Sequence, residues 1–225
     1  MFNYDITEKL ITLGLAIVPA LFGIVCHEVA HGWAAHKLGD PTAKYLGRLT
    51  LNPIKHIDPM GLAVFVMTAL AAPFAIGWAK PVPVQPRYFR SPRQGMVLVS
   101  LAGPAANLLV AFLCALILKL SVNLASSGLV AAPSVALELL QTSAQLGIII
   151  NCALAWFNLM PIPPLDGSHV LGGFLPAPLA ARYQSLDKYG MIIVVVLLAT
   201  GVVGKVLLPL IRKTAHLLLT LAGVQ

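Results

Sequence analysis

Five stretches of this chain are long, apolar and almost free of charge: Leu10 to Cys26, Gly61 to Trp78, Gly95 to Leu118, about Leu139 to Leu165, and Gly190 to Ile211. A helix that crosses a bilayer needs about 20 mostly apolar residues. A single soluble core of 225 residues has no room to hide this many such runs. Only 10% of the residues are charged and 58% are hydrophobic, where a soluble domain carries about 25% charged residues. A water-soluble globular domain, a disordered chain and a DNA-binding domain are excluded together. The expected fold is an all-α polytopic membrane protein, with lipid covering the excess apolar surface. No internal repeat and no long linker divides the chain, so residues 1–225 are expected to form a single integral membrane domain.

The formal charge of +7 belongs to loops between the apolar runs. No basic helix or aromatic-interleaved patch accompanies it, so no nucleic-acid partner is expected. Bases in short loops mark the cytoplasmic face of a membrane protein. Cys26, Cys114 and Cys152 each lie inside an apolar run without a CxxC spacing and read as reduced thiols packed as small hydrophobes. The N-terminus, MFNYDITEK, has acids where a signal peptide has bases, so the first run is expected to be retained.

The chemistry sits at the end of the first run, in His27-Glu28-Val29-Ala30-His31. Residues four apart on a helix differ by about 40° around its axis, so His27 and His31 share a face. Two imidazoles so placed can hold one zinc ion, and Glu28 beside them is placed to accept a proton from an attacking water. Ionisable groups in a membrane helix are costly, which makes them candidates for function.

A catalytic zinc needs a third protein ligand and an open position. His36 is five residues past His31, about 140° further round the helix, and faces elsewhere. Glu138 has no motif around it, and Asp40 and Asp187 lie in polar turns as solvated residues or helix caps. Asp58 fits a turn better than a metal. Asp166, in Asn158-Leu-Met-Pro-Ile-Pro-Pro-Leu165-Asp166-Gly167, stands at the end of an apolar run beside a proline-broken backbone and is the best third ligand.

HEVAH on the first helix, NLMPIPPLDG on a later one, and Gly103-Pro104-Ala-Ala-Asn107 between them resemble the site-2 protease family of intramembrane zinc metalloproteases. The segments LGRLTLNPIKHIDPMG and GWAKPVPV suggest its short bacterial branch, without an inserted PDZ domain, and the likeness covers roughly residues 10 to 200. The resemblance implies one Zn²⁺ per chain held by His27, His31 and Asp166, with Glu28 as general base. It also implies a membrane-embedded protein or peptide as substrate. Asn107 and Asn158 fall where the family keeps polar side chains. Each is a candidate for the substrate backbone or the developing oxyanion, or for a hydrogen bond between helices. His56 is a candidate gate or further imidazole near the metal, with a structural loop role as the alternative. His169 and His216 have weaker claims.

Two other readings belong beside the intramembrane endopeptidase. One is a membrane zinc protease that cuts soluble or lipidated tails at the surface, which requires a wide aqueous chamber that this short apolar chain is poorly made to line. The other is a metal transporter or binding scaffold, which requires ionisable groups along a path; the apolar runs carry almost none beyond the motifs. Hydrolysis within lipid requires an enclosed polar pocket open to water on one side. A substrate helix must unwind there, and the stretch Asn52 to Val84 is a candidate edge to hold it by strand addition.

Parity fixes the expected path. For the ends of the first and fourth runs to share one ion, those helices must run in the same direction, so one of the two runs between them does not cross. Gly61 to Trp78, interrupted by Pro73 and Gly77, is the expected re-entrant segment or hairpin, leaving about four full spans. Ten bases then share the active-site face: Lys37, Lys44, Arg48, Lys55, Lys80, Arg87, Arg90, Arg93, Arg182 and Lys188. Lys9, Lys119, Lys205, Arg212 and Lys213 fall on the other side, which predicts a cell-membrane protein with its active-site mouth toward the cytoplasm.

Overall fold

The computed structural model describes residues 6–71, 77–127 and 134–224. Among them the elements are helical: α1 (Ile6–Lys37), α2 (Thr42–Tyr45), α3 (Pro59–Ala71), α4 (Pro92–Ser126), α5 (Val135–Asn158), α6 (Asp166–Phe174), α7 (Ala177–Gln184), α8 (Asp187–Ala199) and α9 (Val202–Ala222), with 3-10 turns at Pro53–Lys55 and Pro86–Tyr88. Among the described residues the β-pairing is one isolated antiparallel bridge, Ile57 to Ala79.

The frame is α1, α4 and α5. Cross-links at His31 to Val99 and at Gly23 to Asn107 set α1 and α4 antiparallel. Links at Leu15 to Ser143 and at Pro19 to Asn151 set α1 and α5 parallel. Small residues line the core that α4 and α5 share with α9, with Ala111, Ala115, Ala144 and Cys152 buried, and they let the helix backbones approach closely. The outer faces are apolar: Val18, Leu109 and Leu120 are all more than half exposed, as lipid-facing side chains must be. Pro19 cannot donate to the Leu15 carbonyl one turn back. The Ser143 hydroxyl donates to that oxygen instead, at 3.0 Å, so a proline inside a membrane helix leaves no bare acceptor.

Among the described residues three helices, α1, α4 and α5, are long and apolar enough to cross a membrane, or four spans if α8 and α9 are one broken span. The chain is a multi-pass membrane protein. The fifth apolar run, expected as one of the full spans, breaks at Thr200–Gly201 and turns by 78°. Gly201 takes the left-handed conformation (φ 71°) and its N–H caps the Leu198 carbonyl, which ends α8. The tail after Ile211 continues α9 and buries Ala215 and Ala222.

The described ends of the 61–78 run lie together, which fits the expected re-entrant segment or hairpin. Its helix α3 has 13 residues, about 20 Å of rise, short of a bilayer core of about 30 Å. Trp78 lies against Gly61, Gly77 against Phe65, and Ala79 bridges Ile57, so both ends of the segment meet. Pro73, one of its expected interruptions, lies outside the described residues. Asp58 caps α3, accepting from the Gly61 N–H at 2.8 Å, which is a turn role.

Candidate metal centre

His27 and His31 stand one turn apart on α1, and their rings meet edge to face with centroids 4.5 Å apart. Their Nε2 atoms are 2.9 Å from each other. Asp166 completes a triangle, its Oδ2 3.1 Å from Nε2 of His27 and its Oδ1 3.3 Å from Nε2 of His31. The three side chains are only 10, 12 and 16% exposed. Among the described residues this is the convergent group of three potential metal ligands.

The helix that ends the fourth apolar run stops sooner than expected, at Asn158. Asp166 is therefore not the last residue of that helix but the first of α6. Pro161, Pro163 and Pro164 lack the N–H groups that would continue α5. The turn they form carries Asp166 back to α1. A Cβ at Gly167 would collide with the Leu159 carbonyl, so the turn closes only on glycine. Arg93, at the start of α4, donates to the carbonyls of Gly173 and Leu175 and ties the end of α6 in place. The Tyr183 hydroxyl donates to Pro161 at 2.7 Å.

Proton placement decides what the triangle can hold. His31 Nδ1 lies 2.7 Å from the Val99 carbonyl, which can only accept, so that nitrogen carries the proton. Asn107 Nδ2 donates to Gly23 and to Asn151, both at 3.1 Å, so its Oδ1 is the atom 2.7 Å from His27 Nδ1, and His27 is also protonated there. In the neutral rings both Nε2 atoms then present lone pairs to each other and to the carboxylate. Protonating both would set two N–H groups head to head across 2.9 Å. Asp166 Oδ2 is buried without a hydrogen-bond partner. Three converging lone pairs are repulsive until a cation lies among them. Two imidazole nitrogens and one carboxylate oxygen suit zinc, and tetrahedral bonds of about 2.0–2.1 Å would set ligand atoms about 3.3 Å apart. The residues fit the ion.

The GPxxN element explains itself at this point. A Cβ at Gly103 would lie 2.6 Å from Cε1 of His27 and 2.5 Å from Nε2 of His31, so α4 admits the two rings only because that residue is glycine. Asn107, one turn on and on the same face, takes the far side of His27.

The chain is 38% identical over 196 residues to the protein named "Putative zinc metalloprotease YwhC" from Bacillus subtilis, covering 87% of this chain and 85% of that one. It is 32% identical over 195 residues to "Putative zinc metalloprotease Rip2" from Mycolicibacterium smegmatis, covering 85% and 69% respectively. The model of peptidase family M50 matches residues 123–200. The chain belongs to peptidase family M50. It is a membrane zinc metalloprotease of the site-2 type, as its motifs led us to expect. No solved structure gives a significant match.

In this M50 protease the carboxylate of Glu28 is held from outside the helix bundle: its Oε2 accepts the backbone N–H of Val82 at 2.9 Å. Val82 belongs to an extended strap, residues 79–85, fastened by four long-range contacts. Lys80 N–H donates to His56 at 2.8 Å, Arg48 donates to the Lys80 carbonyl at 2.6 Å, Val82 meets Glu28, and Gln85 N–H donates to Asp40 at 2.6 Å. Most of the stretch Asn52 to Val84 is otherwise 3-10 turn and helix rather than extended edge. Along the strap, Lys80 and Val82 spend their N–H groups inward, and Pro81 and Pro83 have none. What the strap offers another chain is chiefly carbonyl acceptors.

The remaining sequence candidates fall elsewhere. Asn107 is fully buried behind His27, its amide spent on His27, Gly23 and Asn151. Asn158 donates to Leu154 one turn back at 2.9 Å. His56 is 2% exposed and lies outside the ligand triangle; its Nε2 donates to the Thr50 carbonyl at 2.8 Å. Asp40 is fully buried rather than solvated. Burial would raise its carboxyl, but hydrogen bonds from the Thr42 hydroxyl and the backbones of Gln85 and Thr42, with the Arg87 charge nearby, hold it below the usual carboxylate range. Cys152 is buried and Cys26 and Cys114 half-buried, all as free thiols. Sequence reasoning placed an extended edge broadly within Asn52 to Val84 but not the fastening of residues 79–85 to Glu28, Arg48 and Asp40, whose partners lie 54, 32 and 45 positions away. It also overlooked Asn151, which sits in an apolar run outside both motifs.

Proposed function

We propose that the chain is an intramembrane zinc endopeptidase in which His27, His31 and Asp166 hold the metal and Glu28 is the general base. The observation that carries this reading is the lone-pair triangle of 2.9, 3.1 and 3.3 Å in a bundle whose outer faces are apolar. Zinc bound there supplies Lewis acidity to the scissile carbonyl and lowers the pKa of a water toward about 7.

The protein's own groups do the rest. Glu28 accepts the proton of the attacking water at a carboxylate oxygen and returns it to the leaving amine. Val82 N–H holds one oxygen of that carboxylate, which leaves the other free to take the proton. The Asn107 amide and the Val99 carbonyl keep the two imidazoles turned so that Nε2 of each faces the metal. The triangle is largely buried, its side chains 10, 12 and 16% exposed, so bulk water is held back from the reacting groups. Asn158, at the end of α5, remains a candidate donor to the substrate. The concentration of bases in the loops joined to α1, α4 and α6 supports a mouth toward the cytoplasm.

Two experiments test the reading. Purified enzyme in liposomes should cleave single-span proteins embedded with it, and the Glu28→Gln variant should bind and trap them uncut. Cleavage confined to soluble or lipidated tails would replace the intramembrane reading with a surface protease. Single cysteines at Lys44, Arg90, Ser127 and Gln184, in a background without native cysteines, test orientation with an impermeant thiol reagent on intact cells. Only the one at Ser127 should label; labelling at Arg90 but not Lys44 would mean that the 61–78 segment crosses.

A further inference from the structure

We infer that Asn151 is a positioning residue for the metal centre: its amide sets the Asn107 amide, and through it the ring and the proton of His27. The inference rests on the zinc reading of the site and extends it by one residue further from the metal.

Asn151 lies mid-way along α5 and is fully buried. Its Nδ2 donates to two carbonyls on two helices, Gly147 at 3.0 Å and Pro19 at 3.3 Å. Its Oδ1 accepts from Asn107 Nδ2 at 3.1 Å. The orientation of this amide is fixed. Flipped, it would press an oxygen onto two carbonyl oxygens and a nitrogen onto the Asn107 nitrogen. With its Oδ1 held toward α4, Asn107 must present Nδ2 on that side. The second N–H of Asn107 goes to Gly23 at 3.1 Å, so Oδ1 is left to face His27 Nδ1 at 2.7 Å. His27 consequently carries its proton on Nδ1 and presents the Nε2 lone pair to the metal.

The chain therefore runs from two carbonyls through Asn151 and Asn107 to His27, with each step fixing the next. Without Asn151, Gly23 is the one acceptor left to Asn107 Nδ2, and the orientation of the amide facing His27 rests on that single bond. A rotation of the amide would then put an N–H against His27 Nδ1 and move the ring's proton to Nε2, where the metal should bind. Gly23 makes the arrangement possible, because a Cβ there would overlap the Asn151 amide.

The test is a double-mutant cycle on the full-length protein in detergent, reading zinc affinity by competition with a chelator. Asn151→Leu should weaken zinc binding by about 10–100-fold, the range for losing a partner of a metal-bound histidine. Asn107→Ala should do the same. The double variant should be no worse than the weaker-binding single, since Asn151 acts through Asn107. Ser143→Ala cuts another α1–α5 hydrogen bond and should lower thermal stability while leaving zinc affinity unchanged. A second readout is the ¹⁵N spectrum of His27, which should show the Nδ1–H tautomer in the parent and a mixture in Asn151→Leu. If Asn151→Leu does not fold, Gly23→Ala presses on the same amide and should weaken zinc in its place. Unchanged zinc affinity in Asn151→Leu, or losses that multiply in the double variant, would overturn the inference. His27→Ala separates the two levels: if it leaves zinc affinity intact, the zinc reading itself has failed, whatever Asn151 does.

Discussion

The loop that carries Asp40 and the turn that carries Asp166 both withdraw a carboxylate from water, and they complete it differently. Around Asp40 every neighbour brings a proton: the Thr42 hydroxyl and N–H on one oxygen, the Gln85 N–H on the other. Around Asp166 the neighbours at 3.1 and 3.3 Å are imidazole nitrogens whose protons are committed elsewhere, and Oδ2 has no donor at all. Burying a charge is tolerable only when it is paired or hydrogen-bonded. Asp40 is satisfied by protein alone and can only hold the loop and strap together. Asp166 is left without a protein donor on Oδ2, the arrangement the proposed metal-ligand role requires.

The largest test of this contrast exchanges the two residues' fates. Asp166→Ala should lose zinc and all cleavage, since one of three protein ligands goes, while Asp40→Ala should retain stoichiometric zinc by metal analysis. The reverse pattern would break the comparison outright. Glu28→Gln comes next: cleavage should fall by about 10²–10⁴-fold with zinc content unchanged, because the base is removed and no ligand is. Zinc loss in that variant would move Glu28 into the ligand set.

Why one half of this contrast was readable in the sequence and the other was not follows from range. The two histidines of HEVAH are related by helical periodicity, a local rule, and Asp166 announces itself through the prolines and glycine around it. The antiparallel and parallel arrangement of α1, α4 and α5 followed from parity once the two motifs were taken to share one ion. Asp40 looked like any turn residue because its partner Gln85 is 45 positions away. The break at Gly201 was hidden because hydropathy runs smoothly across it, although a glycine after a helical run is a stop signal. Asn151 was hidden for the opposite reason: one amide among apolar residues reads as an interruption until its partners on two other helices are seen.

The Asp40 loop should also reveal itself through acid. A carboxyl held below its ordinary value of 3.8 contributes stability that is present above the unfolded value and lost as pH falls through the folded one. Asp40→Asn keeps the shape but removes the charge that three donors and Arg87 favour. It should cost about 1–3 kcal/mol at neutral pH and flatten the loss of thermal stability below about pH 4. An unaltered acid limb would mean that Asp40 is not what fastens the strap.

The smallest expected effect bears on His56, which belongs to the Asp40 side of the division although its chemistry would suit the other. Its ring donates to Thr50 and its backbone carbonyl accepts from Lys80. Those bonds join the loop after α2 to the strap, and the strap carries the N–H that holds Glu28. His56 thus reaches the site through two backbone segments and not through its own nitrogens. His56→Gln keeps a donor of similar reach, so the stability cost should be about 1 kcal/mol or less, the net worth of one hydrogen bond. Zinc affinity should be unchanged, because neither imidazole of the triangle leans on His56. Cleavage should drop by a few-fold at most, through a looser strap and a less constrained Glu28. Loss of zinc in His56→Gln would place a third imidazole at the metal and erase the boundary between the two regions. A loss of cleavage as deep as that of Glu28→Gln, with zinc retained, would make His56 part of the reacting machinery and not of its support.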